Sequence, residues 1–127
     1  MKIVTALVFA AAFALPPVGA LAAKRPYQGD YAITPTGYHI CLINNGTWYS
    51  ETIHAWQGTW TLVGKTLLLR GNQSSGTVND AFNFTGNSDV GYNGDWQEWS
   101  DAGVVLRAST ASMEWVDSDC AGPPAAP

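Results

Sequence analysis

CLINNGTWYSETIHAWQGTWTLVGKTLLLRG, residues 41–71, contains two hairpin signals, and their reading decides the fold. Gly64-Lys65 puts glycine first in a two-residue turn, as type II′ geometry requires. Around that turn Val63 faces Thr66, Leu62 faces Leu67, Thr61 faces Leu68 and Trp60 faces Leu69. Opposed residues share a sheet face and successive residues alternate. Trp60, Leu62, Leu67 and Leu69 therefore collect on one face, the expected core, while Thr59, Thr61 and Arg70 take the other. Turn chemistry and hydrophobic pattern agree. Asn45-Gly46 fits a type I′ turn, which needs φ > 0 at both central residues. That turn sets Ile43 opposite Trp48, Leu42 opposite Tyr49 and Cys41 opposite Ser50, with apolar residues on both faces. Either the hairpin is covered on both sides, or an outer face with Ile40, Leu42 and Tyr49 is an exposed contact patch.

Strand signals continue on either side. Residues 27–33 alternate weakly, and Pro35 ends them as at an edge strand. Phe82 and Phe84 alternate with Asn83, and residues 104–107 and 112–116 are two further strand candidates joined by a short Ala/Ser/Thr connection. Residues 51–56 lose the pattern, and the Gly- and Asn-rich stretches 71–80 and 87–95 read as surface loops. No segment sustains a helical period. The chain is expected to be all-β, a small single-domain antiparallel β-barrel or sandwich of about seven or eight strands with one disulfide. Gly46-Thr47-Trp48, Gly58-Thr59-Trp60 and Gly94-Asp95-Trp96 share a Gly-x-Trp spacing. Gly-x-Trp resembles the signature of lipocalin-like barrels, and Asn45-Gly46-Thr47-Trp48-Tyr49 is similar to the first strand of avidin-like proteins. Each resemblance spans a handful of residues and assigns neither family.

Lys2, the apolar run 3–15, the Pro16-Pro17 break and the small-x-small triplet Ala20-Leu21-Ala22 read as a secretory signal at 1–22, removed on export. The run falls short of the about 20 apolar residues a membrane span needs. A β domain at 23–120 and a disordered tail at 121–127 complete the expected organisation. Cys41 and Cys120 are the only cysteines, and in an exported chain they imply a disulfide. Removing Lys2 with the signal leaves five basic residues against ten acidic ones. That balance argues against nucleic acid, whose phosphates demand clustered Lys and Arg, and suits a basic protein partner.

The densest functional candidate is NSDVGYNGDWQEWSD, residues 87–101, which holds four of the ten acidic residues and no Lys or Arg. Read as a loop, it offers Tyr92, Asp95, Trp96, Glu98, Trp99 and Asp101 to a partner, aromatic anchors within a charged rim. The expected function is non-catalytic protein–protein contact, as in an inhibitor or envelope interaction module. The alternative is carbohydrate binding, with Tyr92, Trp96 and Trp99 stacking on sugars. Trp96 and Trp99 lie three apart, so strand alternation cannot turn both into one core. Asn87, Asp89, Asn93, Asp95 and Glu98 imitate a calcium loop only weakly, because Tyr92 stands where that loop needs glycine. No cofactor motif is present. His39 and His54 belong to no zinc or nucleophile motif, and Glu51 with Glu98 makes a glycosidase pair only if folding brings them together.

Overall fold

The computed structural model describes residues 27–73 and 76–126. Its eight strands are β1 (Gly29–Thr34), β2 (Tyr38–Ile43), β3 (Thr47–Ser50), β4 (Gln57–Val63), β5 (Thr66–Gln73), β6 (Val78–Asn87), β7 (Gly91–Ser100) and β8 (Val105–Asp117). Each pairs antiparallel with the next, and β8 returns to β1, so the sheet closes into an all-antiparallel barrel. Among the described residues no helix is long and apolar enough to cross a membrane. The expected signal at 1–22 lies outside the described residues. We call the end with the β1–β2, β3–β4, β5–β6 and β7–β8 connections the upper end, and the other the lower end.

The β4–β5 hairpin has the expected register, with Trp60 opposite Leu69 and Leu62 opposite Leu67. Leu67 and Leu69 are fully buried. Their partners are less so, which corrects half of the expected core. Leu62 is 37% exposed beside the lower-end turn, where the barrel has no second layer to cover it. Trp60 is half-buried, packs against the core from the lower mouth, and donates from Nε1 to the Ile43 carbonyl at 2.7 Å.

The β2–β3 hairpin is shifted by one residue from expectation: Leu42 opposes Trp48, Cys41 opposes Tyr49, and Ile40 opposes Ser50. Its loop is three residues long. The Gly46 N–H reaches the Ile43 carbonyl at 3.0 Å, and Gly46 adopts a φ of 90°. This is the turn-plus-bulge solution, in which glycine occupies the left-handed position after a tight turn. A one-residue slip exchanges the faces. Ile40, Leu42 and Trp48 accordingly point into the core, so Ile40 and Leu42 form no outer patch. Trp48 fills space left by glycines: it opposes Gly58, which opposes Gly71, and a Cβ on Gly71 would lie 2.5 Å from Trp48 Cζ2.

Three loop and strand readings are corrected further along the chain. Residues 71–73 and 78–80 are not loop but the end of β5 and the start of β6. Residues 91–100 are not loop but β7, paired along its length with β6 and β8. Residues 104–107 and 112–116 are not two strands but parts of the single long β8. β1 accompanies β8 only from Ser112 to Asp117, so among the described strands residues 105–111 pair with β7 alone. This leaves an open edge near the upper end, with Val104, Val105 and Leu106 each at least half exposed.

After β8 the chain turns back along the outer face of β2 and β3. Cys120 is bonded to Cys41, the Ala121 N–H is held by Glu51 Oε2, and the Pro124 carbonyl lies 3.3 Å from His54 Nδ1. The tail, expected to have nothing to bury, thus makes a strap over the outer side of the first hairpin.

Candidate functional site at the upper mouth of the barrel

Strand parity builds this site. On β6, Asp80 lies two residues before Phe82 and four before Phe84, so it points inward with them. On β7 the same parity turns Tyr92, Trp96 and Glu98 inward. Asp80 and Glu98 directly oppose each other across the β6–β7 ladder. Two carboxylates are therefore brought inside the barrel below its upper opening.

Donors converge on them. Trp56, from the β3–β4 connection, donates its indole N–H to Asp80 Oδ2 at 2.5 Å, and Trp96 donates to Oδ1 at 3.4 Å. Gln73 Nε2 lies 2.8 Å from Glu98 Oε2 and 3.5 Å from Asp80 Oδ2, bridging the two acids. Arg107 Nε approaches Glu98 Oε1 at 3.4 Å from a side chain that is 66% exposed. Removal from water pushes the Asp80 carboxyl up from its ordinary 3.8 to about 6, and the Glu98 charge adds to the rise. The indole and amide donors oppose that rise without cancelling it.

A cavity of about 270 Å³ opens above these groups. Tyr38, Trp56 and Trp96 supply aromatic wall, Ile53, Val78 and Leu106 an apolar rim, and Glu98 and Arg107 the charge. Asp80 is 1% exposed and has both oxygens occupied, so its part is to hold Trp56 and Trp96 in place. Glu98 is the carboxylate that lines the cavity. Its oxygens are held by Gln73 and by the exposed Arg107, so an ammonium or guanidinium group with an aliphatic stem would enter beneath the aromatic rings and apolar rim by taking the place of Arg107.

The six residues expected to bind a partner are divided by the barrel wall. Trp96 and Glu98 reach the mouth; Trp96 also stacks on Phe82, with ring centroids 5.8 Å apart. Tyr92 is buried lower in the barrel beside Tyr31 and Phe84. Asp95 is exposed on the outside. Trp99 is half-buried on the outer face beyond a register shift, and Asp101 sits in the β7–β8 turn, accepting from Asn79 at 3.0 Å. Tyr92, Trp96 and Trp99 therefore share no single face.

The weak calcium set is dispersed as well. Asn87 Oδ1 caps the turn by accepting from the Asp89 and Val90 amides, Asn93 and Asp95 face out, and Glu98 faces in. Glu51 lies on the outer wall and Glu98 inside it, so these two form no pair. Sequence reading missed Trp56, Gln73, Asp80 and Arg107. Asp80 had a usable signal, its even spacing from Phe82 and Phe84, whereas Trp56 lies in a loop without periodicity. No family model, no curated protein and no solved structure matches the chain.

Proposed function

We propose that this chain is an exported, non-catalytic binding protein whose upper mouth takes a basic side chain of a protein partner. The partner segment is extended and lies along the open edge of β8. The observation that carries the reading is the buried carboxylate pair, Asp80 and Glu98, beside a cavity that adjoins a strand edge left unpaired among the described residues. A free edge offers backbone hydrogen bonds to an added strand, and adjacent pockets select its side chains. Val104, Val105 and Leu106 supply exposed apolar area at the same place. The chain's net charge of −4 favours encounter with a basic partner. The disulfide fits an oxidising compartment, which supports export. A glycan platform has less support, because Trp99 lies on the outer face while Tyr92 and Trp96 point inward at different depths.

The test is binding to nine-residue extended peptides that differ only in a central Arg, Lys, Ser or Glu. Arg and Lys peptides should bind, and binding should weaken as salt rises. Glu98→Gln should weaken it about tenfold, the equivalent of 1.4 kcal/mol. Leu106→Asp, outside the core, should do the same by removing the apolar rim. Equal binding of all four peptides, or none, defeats the proposal; salt-independent binding to neutral oligosaccharides returns the glycan reading.

A further inference from the structure

We propose that Asp30, His39 and Glu51, on the outer wall of the barrel, form a site for one divalent transition-metal ion, with Zn²⁺ its best fit. Asp30 on β1 and His39 on β2 face outward, and Glu51 follows β3 directly. One ligand atom from each lies within 4.8 Å of the others. His39 Nδ1 and Asp30 Oδ1 are already 2.8 Å apart. Zinc bonds to imidazole nitrogen and carboxylate oxygen are about 2.0–2.2 Å, which sets ligand atoms roughly 3.5 Å apart in a tetrahedral site.

The second observation is the state of Glu51. Its Oε2 accepts the Ala121 amide, while its Oε1 is buried and receives no hydrogen bond. A carboxylate oxygen removed from water without a donor is costly, and a cation repays that cost. The His39 side chain is 39% exposed, which leaves a path for the ion and for a water as fourth ligand. Imidazole with two carboxylates selects zinc-like ions over calcium, which prefers six or more oxygens. Bound there, the ion links β1, β2 and the residue that holds the strap. This site is separate from the upper mouth and independent of the partner proposed for it.

Isothermal titration of the purified protein with Zn²⁺, and separately with Ca²⁺, tests the assignment. One Zn²⁺ per chain is expected, with an increase in melting temperature and much weaker Ca²⁺ binding. His39→Ala and Asp30→Asn should each lower Zn²⁺ affinity at least tenfold. His54→Ala, the other histidine, should not change it. Near-UV circular dichroism of each variant confirms the fold, and Asp30→Asn serves if His39→Ala loses it. No Zn²⁺ binding at 1 mM, unchanged binding in a folded variant of Asp30 or His39, or Ca²⁺ binding as tight as Zn²⁺ each overturns the proposal.

Discussion

Asp80 is ionised inside the barrel at a cost, and the direction of that cost fixes a measurable pH dependence. Its folded pKa of about 6 lies above its ordinary 3.8, so between those values the folded chain holds more proton than the unfolded one. Stability from this group is therefore fully present at low pH and declines as pH rises through that window. Asn at this position is neutral throughout and loses one acceptor for the indoles. The melting temperature of Asp80→Asn minus that of the unchanged protein should accordingly rise from pH 4 to pH 7. A flat difference across that range would show that Asp80 is not the buried acid responsible. Trp56→Phe should deepen the dependence, because it removes the 2.5 Å donor that most favours the ionised form.

Individual elements show why some of the molecule was legible in the sequence and some was not. The β4–β5 hairpin was legible because Gly64-Lys65 and four spaced apolar residues specify one register together. At Asn44-Asn45-Gly46 two turn solutions share the same residues, and the choice between them rests on which places Trp48 over Gly58 and Gly71. That is a packing fact with no local signal. β7 was hidden because its glycines look like loop punctuation, although Tyr92, Gly94, Trp96 and Glu98 keep a period of two. Gly94 serves close approach: a Cβ there would run into the Asn83 carbonyl. The candidate site suffered most, since reading β7 as loop left Trp96 and Glu98 outside, and reading 71–80 as a surface loop hid the place of Asp80 on β6. The packing difference between the two hairpin tryptophans is testable. Trp48→Ala should cost about 3–5 kcal/mol, as truncation of a fully buried Trp does. Trp60→Ala should cost clearly less, because Trp60 fills the lower mouth without a complete shell around it. Chemical denaturation of both variants measures the order, and an equal or reversed order would contradict this division of the core.

At the scale of the whole molecule, the closed ladder and the strap are stabilised by different means. The barrel closes through backbone pairing between β1 and β8 and a core shared by all strands, so it needs no covalent tie. The strap contributes no ladder; Cys41 and Cys120, 79 residues apart, fasten it to the outer wall. Closing a loop of that length restricts the unfolded chain by about 4.5 kcal/mol in the chain-entropy picture. The Cys41→Ser, Cys120→Ser protein should thus melt well below the unchanged one while keeping its near-UV circular dichroism. Hydrogen exchange separates the two contributions. The Ala121 amide, held by Glu51, should lose protection on removing the disulfide, because the remaining strap contacts are few and exposed. Amides in the β6–β7 ladder should lose only what the global fall in stability requires. Protection of Ala121 that outlasts the disulfide would mean the strap docks through its own contacts, with the Cys41–Cys120 bond acting on the unfolded chain alone.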